Sequence, residues 1–148
     1  AVTLHRTYLR DGRKLDAPDA KKVLSSGFAG AAVRLAEATD DLAVCEGIET
    51  GIAVFLATGR PVWCALSAGN LEKIWIPETV VSVGIYGDND ADGDFTGQAS
   101  TYALARRLMR EPCHRGRREV RPHLPRRIGS DWADVWRQRQ EALLLQAA

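Results

Sequence analysis

Four aspartates alternate along residues 85–99, IYGDNDADGDFTGQA: Asp88, Asp90, Asp92 and Asp94, crowded around Gly93. Carboxylates this close repel one another unless something positive sits among them. Three chemistries are open: a calcium loop, a magnesium site for phosphate chemistry, or a solvated acidic turn. A calcium loop of the helix–loop–helix type needs oxygen ligands at positions 1, 3 and 5, glycine at 6 and a bidentate glutamate at 12. Counted from Asp88, the first four demands are met, but the twelfth position is Ala99. The preceding run, VSVGIYG, also reads as a strand where a helix is required. The calcium loop is therefore set aside.

The magnesium reading puts Asp88 at the tip of a parallel strand, with Asp90 two residues on. Ligands of open α/β sheets bind in the crevice outside such strand ends. Two carboxylates at this spacing can share one hard cation that keeps places for water and phosphate oxygens. This reading demands another acid at a neighbouring strand tip. LAVCEGIET supplies Glu46, which closes a short apolar run before Gly47. An acid there is costly unless it meets a cation or solvent. Glu49 and Thr50 fall in the first turn of the following helix, where acids and hydroxyls are favoured for structural reasons. The pairing of Glu46 with Asp88 and Asp90 argues against a merely wet turn.

The elements needed to hold these acids are legible from Leu42 onward. LAVCEG (42–47), VWCAL (62–66) and VVSVGIYG (80–87) read as buried strands. IETGIAVFLATG (48–59) reads as a helix with Ile48, Ile52, Phe55 and Leu56 inward, stopped at Gly59-Arg60-Pro61. SAGNLEKI is a loop or short helix. Residues 97–110 read as a helix with Ala99, Ala103, Leu104 and Leu108 inward, and EVRPHL as a weaker strand. SDWADVWRQRQEALLLQ reads as a helix capped by Ser130, with Trp132, Val135, Trp136 and Leu143 on its inner face. The order β-α-β-(α)-β-α-β-α predicts an α/β fold with a mainly parallel sheet covered by helices on both faces. VTLHRTYL with the turn signal RDGRK predicts an N-terminal hairpin. Residues 1–38 are read as a β-rich extension and 39–148 as the main domain, together a piece of a longer protein.

Composition adds limits. The 148 residues suffice for one sizeable core. No apolar run approaches the roughly 20 residues of a membrane span. Cys45, Cys64 and Cys113 form no CxxC pair, so neither a disulfide framework nor a zinc site is indicated. A reducing, cytoplasmic setting is expected. The net charge of +1 conceals an asymmetry. Residues 36–59 hold five acids without Lys or Arg, as do residues 74–105. Residues 106–127 hold nine arginines against two glutamates. An acidic centre between basic flanks suits a metal site beside a polyanion surface, although a solvated charged surface has the same signature. Residues 110–127 are expected to form one long surface loop.

VCEGIETGIAV, VGIYGDNDADGDFTGQASTYALARRL and PRRIGSDWADV together resemble a Toprim domain. That compact, Rossmann-like module is shared by bacterial-type primases, topoisomerases and some nucleases, and carries Glu-Gly after one strand and Asp-x-Asp after a later one. TLHRTYLRDGRK, AVRLAEA and SDWADVW resemble the variant found in primases and primase-helicases of plasmids and phages. The resemblance assigns Glu46 to the family glutamate, Asp88 and Asp90 to the Asp-x-Asp metal ligands, and Asp92 to a third acid. Asp131 is read as either a further ligand or a helix-start acid.

It implies Mg2+ (or Mn2+) as cofactor, and DNA primase chemistry: a 3′-hydroxyl attacks the α-phosphate of a nucleoside triphosphate and pyrophosphate leaves. Glu46 would bind metal or act as general base. Lys14, Lys21, Lys22, Arg115, Arg117 and Arg118 would hold a single-stranded DNA template and the nucleoside triphosphates. A helicase or other domains of a parent replication protein are the further partners implied. Two alternatives stay open at this level: a Toprim-type nuclease that cleaves phosphodiesters, and a non-catalytic, metal-dependent nucleic-acid-binding module.

Overall fold

The computed structural model describes residues 3–17, 21–23 and 27–147. Its first part is all strand: β1 (His5–Thr7), β2 (Leu9–Arg10), β3 (Arg13–Lys14), β4 (Lys21–Val23) and β5 (Val33–Arg34). Then come β6 (Asp41–Cys45), α1 (Ile48–Thr58), β7 (Val62–Cys64), α2 (Ala68–Leu71), β8 (Ser82–Tyr86) and α3 (Thr96–Leu108). The chain closes with β9 (Pro112–Cys113), β10 (Gly116–Arg117), β11 (Glu119–His123) and α4 (Trp132–Ala147). The expected N-terminal hairpin is present, since β2 and β3 pair antiparallel. It turns on Asp11 and Gly12, both at positive φ, the backbone that two-residue hairpin loops require.

The main sheet has the order β11-β8-β6-β7-β5. Four strands run parallel, and β5 pairs antiparallel with β7 at one edge. The mainly parallel α/β fold is therefore observed. One edge strand, β5, comes from the N-terminal extension. At the other edge, β11 accommodates Pro122, as an edge strand can. The chain leaves β6 through α1 toward β7, whereas it leaves β8 through α3 toward β11. The strands β6 and β8 are adjacent, so their C-terminal ends form a topological switch point, where α/β sheets open a crevice.

Apolar residues fill both faces of the sheet. Leu42, Val44, Trp63, Val83 and Ile85 pack with Leu71, Leu104 and Leu108 on one face. Ala43, Cys45, Val62, Cys64 and Tyr86 pack with Val54 on the other.

The inner faces of the helices differ from the expectation. In α1, Ile52 and Leu56 are exposed, as is Phe55, while Thr50, Gly51, Ala53 and Val54 are buried. The reason is close approach. A Cβ added at Gly51 would lie 2.3 Å from Cys64 Sγ, so only small residues fit beneath the helix. In α3 the inward face is Ser100, Thr101, Leu104, Ala105 and Leu108, whereas Ala99 and Ala103 face outward. Residues 110–127 are not one long loop either, because β9 and β10 form a hairpin there and β11 joins the sheet.

At the N-terminal edge of the sheet, Arg60 Nε and Nη2 donate to Asp41 Oδ2 and Oδ1, each at 2.6 Å. Partial burial pushes the Asp41 carboxyl up, but the bidentate fork of Arg60 outweighs this and holds it below its ordinary 3.8. The stability this pair adds is complete above pH 3.8 and is lost as pH falls through the lower folded value. Asp41→Asn is therefore destabilising at pH 7, and its deficit in urea unfolding should shrink toward pH 3.

Gly87 offers a second check. Its added Cβ would lie 1.9 Å from Oγ1 of the fully buried Thr101. Gly87→Ala should lower unfolding free energy by about 1–3 kcal/mol. Gly69→Ala, which meets open space, should change it by less than about 0.5 kcal/mol.

Candidate active site

Glu46 follows β6 directly, and Asp88 follows β8 after Gly87. The parallel register pairs Cys45 with Tyr86, so both acids stand at the C-terminal ends of adjacent strands, at the switch point. Both are half-buried, and Asp88 Oδ1 is sealed from solvent. Their negative field reaches Cys45. Its thiol is pushed well up, first by the sulfur of Cys64 at 3.7 Å, then by burial, then by Asp88 and Glu46. A thiol held protonated in this way is a packing group rather than a nucleophile.

The loop after Asp88 is fixed at several points. Asp90 Oδ2 accepts from Gly97 N at 2.8 Å, which caps the amino end of α3. Gln98 Oε1 accepts from Asp90 N at 3.1 Å, and Gln98 Nε2 donates to Asn89 Oδ1 at 2.8 Å. A Cβ at Gly97 would meet Asp88 O at 2.5 Å and Asp90 Oδ2 at 2.8 Å. Only glycine lets the helix start this near the strand tip. Asp94 is exposed and accepts from Thr96 N at 3.1 Å and Thr96 Oγ1 at 2.6 Å, which together hold its carboxyl below the ordinary value. The positive end of α3 thus faces the aspartates and supplies part of the missing counter-charge.

A second segment closes the site. Asn89 N donates to Ser130 O at 3.0 Å, Gly129 N donates to Asn89 O at 2.7 Å, and Asn89 Nδ2 donates to Pro125 O at 2.8 Å. Asp92 is exposed. A Cβ at Gly129 would meet its Oδ2 at 2.6 Å, so this carboxylate rests on the Gly129 backbone. Asp131 proves to be a capping residue: its Oδ1 accepts from Asp134 N at 2.8 Å, and Asp131 N donates back to Asp134 Oδ2 at 3.4 Å. This reciprocal pair opens α4. Ser130, expected as the cap, instead donates its hydroxyl to Arg127 O at 2.6 Å.

The basic candidates separate. Arg118 is buried, with Nε donating to Val80 O at 3.1 Å and Nη2 to Pro77 O at 3.2 Å. Its guanidinium is spent on carbonyls, so its assignment to the nucleic-acid surface is corrected. Arg115 and Arg117 are exposed but sit on the β9–β10 hairpin, which precedes β11 at the N-terminal edge of the sheet. A strand of this length, roughly 15 Å, separates them from the acids. Lys22 is exposed on β4. The side chains of Lys14 and Lys21 lie outside the described residues. The exposed arginines on the acidic edge are Arg126 and Arg127, in the segment tied to Asn89. The sequence offers them only as members of an arginine-rich run; which edge they occupy depends on β11.

The donor set at the switch point consists of hard carboxylate oxygens, which suits Mg2+ or Mn2+. Among the described residues, no three acidic, His or Cys side chains are gathered as a ready-made cage. Mg2+ takes one or two carboxylates and completes its shell with water and phosphate oxygens. Asp90 keeps one oxygen beyond its cap, and Glu46 follows the adjacent strand β6. The sulfurs of Cys45 and Cys64 are buried behind the strands, so no soft ligand competes.

Comparison with known proteins agrees with this geometry. A family model described as Toprim domain matches residues 41–142. A solved structure, the "Crystal structure of a DNA primase domain from Pseudomonas aeruginosa", superposes with a TM-score of 0.62 at 17% sequence identity. The alignment covers 97% of this chain and 46% of that one, so the present chain spans less than half of its neighbour. No curated protein matches the sequence significantly.

If Asp131 only caps α4, Asp131→Ala should cost about 1 kcal/mol in urea unfolding and leave Mn2+ affinity unchanged. Asp131→Asn, which can still cap, should recover most of that loss.

Proposed function

This chain belongs to the Toprim domain family, and from that premise we propose that it performs metal-dependent phosphoryl transfer on nucleic acid, as the nucleotidyl-transfer domain of a DNA primase. The observation that carries the proposal is the juxtaposition of Glu46 and Asp88 at the β6/β8 switch point, with Asp90 locked beside them by α3. Phosphoryl transfer asks little covalent chemistry of a protein; it needs positioned negative oxygens for metal and positive groups for phosphate. Toprim domains generally bind divalent metal ions. When bound, Mg2+ or Mn2+ lowers the pKa of the attacking hydroxyl and offsets charge on the phosphoryl group.

In this reading Asp88 and Asp90 hold the ion, and Glu46 either shares it or takes the proton of the attacking 3′-hydroxyl. Arg126 and Arg127 are the proposed cations for the phosphates, since Arg118 is buried and Arg115 and Arg117 lie at the opposite edge of the sheet. A single-stranded DNA template and nucleoside triphosphates are the proposed substrates, and helicase or other replication domains the proposed partners. The primase reading is drawn from the likeness in fold to the DNA primase domain from Pseudomonas aeruginosa. The three cysteines are free, which suits the reducing cytoplasm proposed as the setting. Among the described residues, no helix is long and apolar enough to cross a membrane.

The test is incubation with single-stranded template, nucleoside triphosphates and Mn2+. Short oligonucleotide products are expected, and Glu46→Gln should reduce their rate by a factor of about 100 or more. Shortened DNA would assign the site to phosphodiester hydrolysis instead. Binding of template without either product would leave a nucleic-acid-binding module.

A further inference from the structure

A cavity of about 410 Å³ lies at the β5 edge of the sheet, and the acids take no part in it. Its walls include His5, Phe28, Arg34, Trp63, Leu66 and Trp75. Trp63 is only 2% exposed, and its Nε1 donates to Ala36 O at 3.0 Å. Trp75 is 58% exposed. The two indoles are stacked, with centroids 6.4 Å apart and planes at 24°. The exposed guanidinium of Arg34 sits 4.2 Å from the Trp63 ring centroid, a cation–π contact that fixes its position.

This wall is built in advance. Asn70 is 5% exposed. Its Oδ1 accepts from Gly30 N at 2.7 Å, while its Nδ2 donates to Ala31 O at 2.8 Å and to Ala65 O at 2.7 Å. Trp75 N donates to Gly30 O at 2.8 Å. Gly30 itself has φ +80, and a Cβ there would meet Lys73 O at 3.1 Å. A buried amide and a glycine in a left-handed conformation thus hold the strap that faces Trp75.

The cavity also reaches the acidic edge. Leu66, one of its walls, donates its amide to Glu46 O at 2.8 Å. His5 of β1 lines it as well.

A flat aromatic face open to solvent and a fixed guanidinium match a nucleobase with its attached phosphate. A volume of this size falls in the range of small-ligand sites. We propose that this cavity receives an unpaired nucleobase of the nucleic acid handled at Glu46 and Asp88. The base stacks on Trp75, and Arg34 meets the neighbouring phosphate. The proposal rests on the phosphoryl-transfer reading above and adds where the substrate is held. The base belongs either to the template strand or to the incoming nucleotide; the recognising chemistry is the same for both.

The test measures binding of oligo-deoxythymidine and of ATP separately, through quenching of tryptophan fluorescence. Trp75→Ala should weaken the affinity for at least one probe about tenfold, and Trp75→Phe should keep most of it. Loss confined to the oligonucleotide assigns the cavity to the strand; loss confined to ATP assigns it to the nucleotide. Arg34→Gln should lower the slope of log affinity against log salt by about one, a slope Trp75→Ala leaves unchanged. Parental affinity of Trp75→Ala for both probes overturns the proposal, as does a parent protein that binds neither. The turnover assay with Glu46→Gln is read independently, so loss of the base site and loss of the acid site are distinguishable.

Discussion

The pairing of β6 with β8 is the constraint on which the rest depends. In this parallel register each residue of Asp41–Cys45 faces one of Ser82–Tyr86. Beyond the last pair, Cys45 with Tyr86, the chain must turn out of both strands, and there it places Glu46 one residue on and Asp88 two. A slip of one residue would reverse the side-chain alternation of a strand that is buried on both faces, so the core resists it. The acids are held in place because Leu42, Val44, Val83 and Ile85 must stay inside. Their mutual repulsion is a local cost that the buried sheet can bear, since a core of this size outweighs a single unfavourable charge pair.

The second requirement is that the acids stay fixed without metal. The amino end of α3 answers part of it, because Asp90 and Asp94 both accept from its first amides. This works only because Gly97 lets α3 begin within contact of Asp88 O. The segment 125–130 braces the loop from the opposite side through Asn89. A loop held from two directions costs less entropy to order when a ligand arrives. Asp92 is exposed, and its carboxylate lies over Gly129. Asp88 stands at the same edge as Glu46 because of where β6 and β8 end, rather than because the four aspartates are close in sequence.

Much of this was legible from residue types. The buried strands announced themselves as short apolar runs, and Glu46 stood out because nothing structural explained an acid at the end of one. The alternation of strands and helices gave the parallel sheet. Other features depend on distances that no pattern records. The inward face of α1 was misread because apolarity marked Ile52, Phe55 and Leu56. The sheet approaches so near Gly51 that size, not hydropathy, decides which side faces in. Arg118 looked like its neighbours Arg115 and Arg117. It is buried because the carbonyls of Ile76, Pro77 and Val80 converge on its position. Asp131 rather than Ser130 caps α4 because the hydroxyl of Ser130 is already committed to Arg127 O.

The distribution of positive charge follows from topology in the same way. Nine arginines in residues 106–127 form one run along the chain, but β11 carries that run across the full length of the sheet. Arg115 and Arg117 are left on the edge where the strands begin, and Arg126 and Arg127 on the edge where they end. Only the second pair shares an edge with Glu46 and Asp88. In the proposed function, a phosphate chain crossing the switch point would meet Arg126 and Arg127 on the β11 side and Arg34 of the Trp75 cavity on the β5 side. The carboxylates lie between them. Positive flanks around a negative centre steer a polyanion to the one place where its charge must be met by a cation bound to the protein, and a sheet whose strands end together is what brings the three regions into line.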